Sequence, residues 1–224
     1  MSAIAIFVKT PGLSVVKSRL AAAIGPKRAI ECHLRCARAV AQVAVSADIG
    51  PVYWAVAEAA GLEDARWAGL PRLLQSGDGL GERMRSVHDA LVQRHGAGIL
   101  IGADLPQLEA GQLRLAARHL QAGPARGVLG PADDGGFWLF GCNIGLAPAI
   151  WNRPHYGGPR VAVDFTQAIA GQLDWLRLAT RTDLDEAHDL SRVIDELLKL
   201  PAPHPVQADL LQWLRYTFPS QDSG

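Results

Sequence analysis

Three aspartates stand where this sequence could hold a cation. Asp104 lies in Gly102-Ala103-Asp104-Leu105-Pro106, at the end of an apolar run and locked by a following proline. Asp183 and Asp185 flank Leu184, so an extended backbone sets both carboxylates on one side, just ahead of a helical pattern that also carries Glu186 and Asp189. Carboxylates are hard oxygen donors, and Mg²⁺ takes one or two of them together with substrate phosphates and water. Each feature also has a plainer reading. Asp104 can cap a helix starting near Leu108, and acids at 183–189 suit a helix amino terminus. The spacing alone leaves both readings open.

Positive charge gathers elsewhere. Residues 7–25, FVKTPGLSVVKSRLAAAIG, leave an apolar run, turn at Pro11-Gly12, and place Lys9, Lys17 and Arg19 ahead of an alanine-rich helical stretch. The 224-residue chain has 22 basic and 22 acidic side chains, so it offers no global field for nucleic acid or an anionic membrane. Any basic site must be local, and this corner suits a polyanion.

Two glycine-rich turns complete the set. Gly77-Asp78-Gly79-Leu80-Gly81 opens a helix, where glycine admits close backbone approach and the helix amino terminus favours an anion. It is not a Walker A loop, because no Gly-Lys-Ser/Thr ends it. Asp133-Asp134-Gly135-Gly136 reads as a hairpin turn or as a place where a ligand meets backbone. The first corner lacks G-x-G-x-x-G and no G-x-S-x-G elbow occurs, which disfavours a dinucleotide oxidoreductase and a serine hydrolase. His88 and His95 read as surface or packing residues, and Cys32 and Cys36 as packing on one helix face.

These residues need elements to position them. Residues 3–8 (AIAIFV), 52–57, 98–102, 127–131, 137–141 and 176–179 read as strands. Helical patterns cover 26–46, 83–95, 108–121, 163–172, 186–199 and 206–216. The alternation predicts an α/β fold, a mostly parallel central sheet with helices on both faces, in one domain over 1–218 with a frayed tail at 219–224. Ligands bind outside the carboxyl ends of such strands. The basic loop at 9–19, Asp104, the turn at 133–136 and the acids at 183–185 all follow predicted strands at that edge. No run approaches the ~20 apolar residues of a membrane span, and the cysteine usage fits a reduced, cytoplasmic protein.

The blocks at 7–20 (F-x-K-x-P-G, then V-K-S-R-L), 79–84 (GLGERM), 101–106 (IGADLP), 129–139 (LGPADDGGFWL) and 183–190 (DLDEAHDL) together resemble the rSAM/selenodomain-associated transferases. These are bacterial members of the nucleotide-diphospho-sugar transferase (GT-A) superfamily. The first block is also similar to the signature of 2-phospholactate guanylyltransferases. The resemblance implies a GT-A fold and a metal-dependent transferase. It matches Asp104, Asp183 and Asp185 to a Mg²⁺ or Mn²⁺ site, and Lys17 and Arg19, with Asp104, to the catalytic centre.

Lys9, Pro11, Gly12, Lys17, Arg19, Gly79 and Gly81 would meet the nucleotide, an NTP or a nucleotide-sugar. Asp134, Gly135, Gly136, Tyr156, Gly157 and Gly158 would meet a small-molecule acceptor. The basic first loop favours nucleotidyl transfer with pyrophosphate release; the alternatives are glycosyl transfer and a catalytically idle nucleotide-binding protein. One departure is Tyr156-Gly157-Gly158-Pro159, where relatives carry Trp-Ser-Thr-Pro. Loss of both hydroxyls points to a different acceptor choice or to a mobile lid.

Overall fold

The strand β1 (Ser2–Val8) is apolar along nearly its whole length, and Ala3 to Ile6 are wholly buried. A strand apolar on both faces belongs inside a sheet covered on both sides. It pairs in parallel with β2 (Val52–Val56), Ile4 opposite Val52, and with β4 (Ala97–Gly102), Ile6 opposite Ile101. The remaining strands are β3 (Arg72–Leu74), β5 (Arg126–Pro131), β6 (Phe137–Cys142) and β7 (Asp174–Arg177). Their order across the sheet is β3-β2-β1-β4-β6-β5-β7. Only β6 runs antiparallel, to both β4 and β5, because the turn at 132–136 is too short for a crossover. The structure is a computed structural model and describes residues 1–218; the stretch 219–224, expected to fray, lies outside the described residues.

The chain crosses the sheet through α1 (Ser18–Ile24), α2 (Pro26–Ser46), α3 (Leu80–His95), α4 (Ala110–Gln121), α5 (Pro148–Trp151), α6 (Val161–Ala168), α7 (Asp189–Leu198) and α8 (Pro205–Thr217). Val40, Leu113 and Leu120 pack with Ile4, Ile6 and Ile99 on one face. Met84, Trp151 and Phe165 pack with Ala5 and Phe140 on the other. A third cluster joins α1 and α2 to α7 and α8; Cys32 and Cys36 lie wholly buried in it, as packing requires. His88 is wholly buried, with Nε2 3.2 Å from Cys142 Sγ, so of its two readings packing holds.

Helix α5 has no counterpart in the expected pattern, α6 and α7 differ from it in their bounds, and three further departures bear on the site. β3 is only three residues long and follows Gly69 and Pro71, too short to show a period. α3 begins at Leu80 rather than Arg83, so the glycine-rich turn is the helix cap itself. β7 lies two residues earlier than the apolar pattern indicates. Among the described residues no helix is long and apolar enough to cross a membrane.

Candidate active site

The carboxylates meet because two strand ends are tied together. Asp104 follows β4, and its backbone oxygen accepts from Leu184 N at 2.9 Å. Leu184 is wholly buried, so in this extended segment its neighbours Asp183 and Asp185 turn the other way, towards the cleft. The plainer readings separate cleanly here. Helix α4 is capped by Glu109 in a reciprocal box with Gln112, which leaves Asp104 without a capping role. Asp189 Oδ2 accepts from the backbone N–H of Asp185 and Glu186, at 3.0 and 2.7 Å, so Asp189 is the acid that serves the turn into α7.

Lys17 sits among these acids. Its side chain is 2% exposed, and Nζ lies 2.8 Å from Asp104 Oδ1 and 3.0 Å from Asp185 Oδ1 while donating to Leu184 O. Burial opposes the charge, but Asp104 and then Asp185 outweigh it and hold the ammonium above its usual range. Burial likewise opposes ionisation of Asp104, and Lys17, followed by His33, reverses the effect and keeps it well below the usual carboxylate range. Asp183 makes no ion pair among the described residues, and the pull of Lys17 on it is outweighed. Burial, reinforced by Asp104, Asp185 and Asp134, pushes it up to about 8. The backbone of Lys17 is left-handed, at φ 49 and ψ 43, an uncommon state for a side chain of this kind. Arg19, 63% exposed, reaches Glu186 Oε1 at 2.7 Å and Asp185 Oδ2 at 3.2 Å.

Two clefts adjoin at Arg19 and Asp185. The first, about 320 Å³, takes Lys9, Lys17, Arg19, Asp104 and His33 into its lining, with Gln75 and Leu80. The second, about 260 Å³, is lined by Asp133, Asp134, Thr182, Asp183, Glu186 and Arg192 among others. Pro11 and Gly12 line neither; they form the turn in which Leu13 and Ser14 donate to Thr10 O.

The expected glycines divide by role. Gly79 caps α3 with open space beside it, whereas a Cβ on Gly81 would lie 2.2 Å from Trp151 O. Gly81 therefore lets α5 approach α3. Asp134 Oδ1 accepts from Gly136 N at 2.8 Å, so the turn is self-bonded while Asp134 borders the second cleft. Gly135, at φ 89, backs onto Pro159, and Tyr156 donates to Trp151 O at 2.6 Å. Gly136, Tyr156, Gly157 and Gly158 line neither cleft; the loop braces the turn instead.

Two residues of the first cleft carried no motif. His33 Nε2 donates to Lys9 O at 3.1 Å, with Nδ1 3.8 Å from Asp104 Oδ1. It is a polar residue in the buried stripe Ala29, Cys36, Val40 of α2, which was the available signal. Gln75 follows β3, a strand the pattern hid. Among the described residues no three His, Cys, Asp or Glu side chains stand gathered as a ready-made metal cage.

Residues 33–157, more than half of the chain, match a family described as uncharacterized proteins conserved in bacteria, DUF2064. The chain belongs to DUF2064. The matched part of this DUF2064 protein carries Asp104, Asp134 and His33, while Lys17, Arg19, Asp183 and Asp185 lie outside it. A crystal structure from Desulfovibrio desulfuricans G20, named as a candidate nucleotide-diphospho-sugar transferase, is 22% identical over 96% of both chains with a TM-score of 0.84. A cytidylyltransferase from Leptospira borgpetersenii serovar Hardjo-bovis is 11% identical over 96% of this chain and 94% of that one, at 0.57. A CMP:2-keto-3-deoxy-manno-octonic acid synthetase complexed with CTP is 11% identical over 86% and 96%, also at 0.57. No curated protein matches the chain. The fold is that of the nucleotide-diphospho-sugar transferases, α/β with one mostly parallel seven-stranded sheet.

Proposed function

We propose that this protein is a nucleotide-dependent transferase, acting by nucleotidyl transfer from an NTP to a phosphorylated small-molecule acceptor. The observation that carries this is the Lys17–Asp104–Asp185 cluster where two clefts adjoin, at the carboxyl edge of the sheet. The nucleotide occupies the first cleft and the acceptor the second. An acceptor oxygen attacks the α-phosphorus, the bond to the β-phosphate bridging oxygen breaks, and pyrophosphate leaves. Exposed Arg19 and Lys9 meet phosphate charge. Lys17 holds Asp104 and Asp185 in register and adds positive potential behind them.

Asp104, Asp183 and Asp185 would hold Mg²⁺ or Mn²⁺. The donors are all carboxylate oxygens, and beyond its burial Asp183 is raised further by Asp104, Asp185 and Asp134, a crowding of acids that a bound cation would relieve. When bound, such an ion neutralises phosphate charge. The reading keeps the resemblance to the rSAM/selenodomain-associated transferases and the 2-phospholactate guanylyltransferases, and a reduced, cytoplasmic setting consistent with three buried free cysteines.

A second reading is glycosyl transfer from a nucleotide-sugar. It is favoured by the second cleft, where six carboxylates face two arginines, a lining better suited to a hydroxyl-rich acceptor than to a phosphate. Incubation with each NTP or nucleotide-sugar, Mg²⁺ and an acceptor panel separates the two. Pyrophosphate release supports the first, nucleoside diphosphate release the second, and binding without either product leaves an idle nucleotide-binding protein. Unchanged activity in Asp104→Asn would remove the metal assignment.

A further inference from the structure

Asp183 sits between two buried neighbours, Thr182 and Leu184. Leu184 is tied to the backbone of Asp104, and Thr182 is tied to two other parts of the site. The Thr182 hydroxyl donates to Asp133 Oδ2 at 2.7 Å, while Glu196 Oε1 stands farther off at 3.5 Å. A hydroxyl has one proton, so Asp133 takes it. The Thr182 backbone oxygen accepts from Gln107 Nε2 at 2.7 Å, and Gln107 is wholly buried in the stretch that follows Asp104. Gln107 Nε2 also donates to Glu196 Oε2 at 3.1 Å, so its carboxamide cannot turn over without facing two acceptors with an oxygen. Just upstream, Arg181 N donates to Pro131 O at 3.1 Å and Asp133 N donates to Arg181 O at 3.1 Å. Asp133 is held from α7 as well, where Arg192 Nη2 lies 2.8 Å from its Oδ2. None of these bonds involves the Asp183 carboxylate. They fix the backbone that carries it.

We propose that Thr182 is a positioning residue, whose hydroxyl, locked onto Asp133, holds Asp183 in place beside Asp104 and Asp185 for the divalent cation. This rests on the reading of the three aspartates as the cation site. Thr182 and Asp133 act through Asp183 and do not touch the ion. Removing a partner that orients a metal ligand costs about 10–100-fold in metal affinity. Gln107 still holds the Thr182 backbone and Arg192 still holds Asp133 when the hydroxyl is gone, so the lower end of that range applies.

The test is a binding cycle that needs no turnover. Mn²⁺ is titrated into the full chain without nucleotide, and the free ion is read by electron paramagnetic resonance. Thr182→Val, which keeps the volume and removes the hydroxyl, should bind Mn²⁺ about tenfold more weakly than wild type, whereas Thr182→Ser should stay within about twofold. In Asp183→Asn, itself weakened, adding Thr182→Val should cost nothing more, because the residue through which Thr182 acts is already lost. Wild-type affinity in Thr182→Val, equal losses in the valine and serine variants, or an undiminished cost in the Asp183→Asn background each overturns the positioning role and leaves the cation site standing. No Mn²⁺ binding by wild type, or unchanged affinity in Asp183→Asn, overturns both. Where Asp183→Asn binds too weakly to measure, the valine and serine variants decide alone. Should Thr182→Val not fold, Thr182→Ala makes the same comparison with Thr182→Ser, and wild-type affinity in it refutes the proposal.

Discussion

Burying an ammonium costs several kcal/mol unless anions surround it, and Lys17 meets that demand through Asp104 and Asp185. Lys17→Met would leave three carboxylates crowded without their counter-ion. Removing one partner of a fully buried pair costs 3–5 kcal/mol, but Asp104 and Asp185 are a third exposed. The expected loss is therefore about 1–3 kcal/mol, read from the urea midpoint, together with loss of nucleotide-dependent turnover. An unchanged midpoint would show that the ion pairs are decorative. Asp183 makes the second residue-scale prediction. Its carboxyl is raised to about 8 in the folded protein, while an unfolded aspartate titrates near ~3.9. Between those values the folded state holds a proton that the unfolded state has released. Stability in EDTA should be greatest below the lower value and fall as pH rises through about 8. Asp183→Asn should lack that component of the slope. Parallel melting profiles for the two proteins from pH 5 to 9 would refute it.

At the scale of elements, the two glycines of the α3 turn should behave oppositely although one motif contains both. A Cβ on Gly81 would lie 2.2 Å from Trp151 O, so Gly81→Ala must push α5 off α3, at a cost of about 1–3 kcal/mol. Gly79 has ordinary extended dihedrals and open space beside it, so Gly79→Ala should melt within about 0.5 kcal/mol of wild type. A reduced nucleotide affinity in the stable Gly79→Ala protein would mark Gly79 as the point of backbone approach. Equal melting losses in the two would mean that α5 does not pack as described. The same turn shows what the sequence could and could not reveal. Helix α2 and the buried strands were readable because their apolar periods run long enough to exclude alternatives. Asp104, Asp183, Asp185, Lys17 and Arg19 come together because each follows a readable strand. Pattern could not assign Gly81 to packing, since that depends on α5, a four-residue helix with no period of its own, nor Gly79 to the cap, since the helical pattern of α3 starts only at Arg83. Gln75 was hidden for a related reason: a three-residue strand places it. His33 was hidden because its partners, Lys9 O and Asp104, are distant in sequence.

Across the whole molecule, equal numbers of basic and acidic side chains mean that no long-range field draws a nucleotide in. Recognition has to be local, and at the site the two ligands should depend on each other. A divalent cation arriving alone meets Asp104 and Asp185 already neutralised in part by Lys17. A triphosphate arriving alone meets a second cleft rich in carboxylates. Arriving together, the cation offsets the acids while the phosphates give Arg19 and Lys17 further anionic partners. Mn²⁺ alone and NTP alone should each shift the melting temperature little. The pair, at about 100 times the joint dissociation constant, should stabilise by about 2.7 kcal/mol, or roughly 5–10 °C for a protein of this size. Asp104→Asn should abolish the excess over the sum of the separate shifts, while Gly79→Ala should retain at least part of it. If Mn²⁺ alone gave the full shift, the carboxylates would be a cation site in their own right, and Lys17 would not compete for them. The coupling between the two ligands thus tests whether the buried lysine and the three aspartates work as one unit.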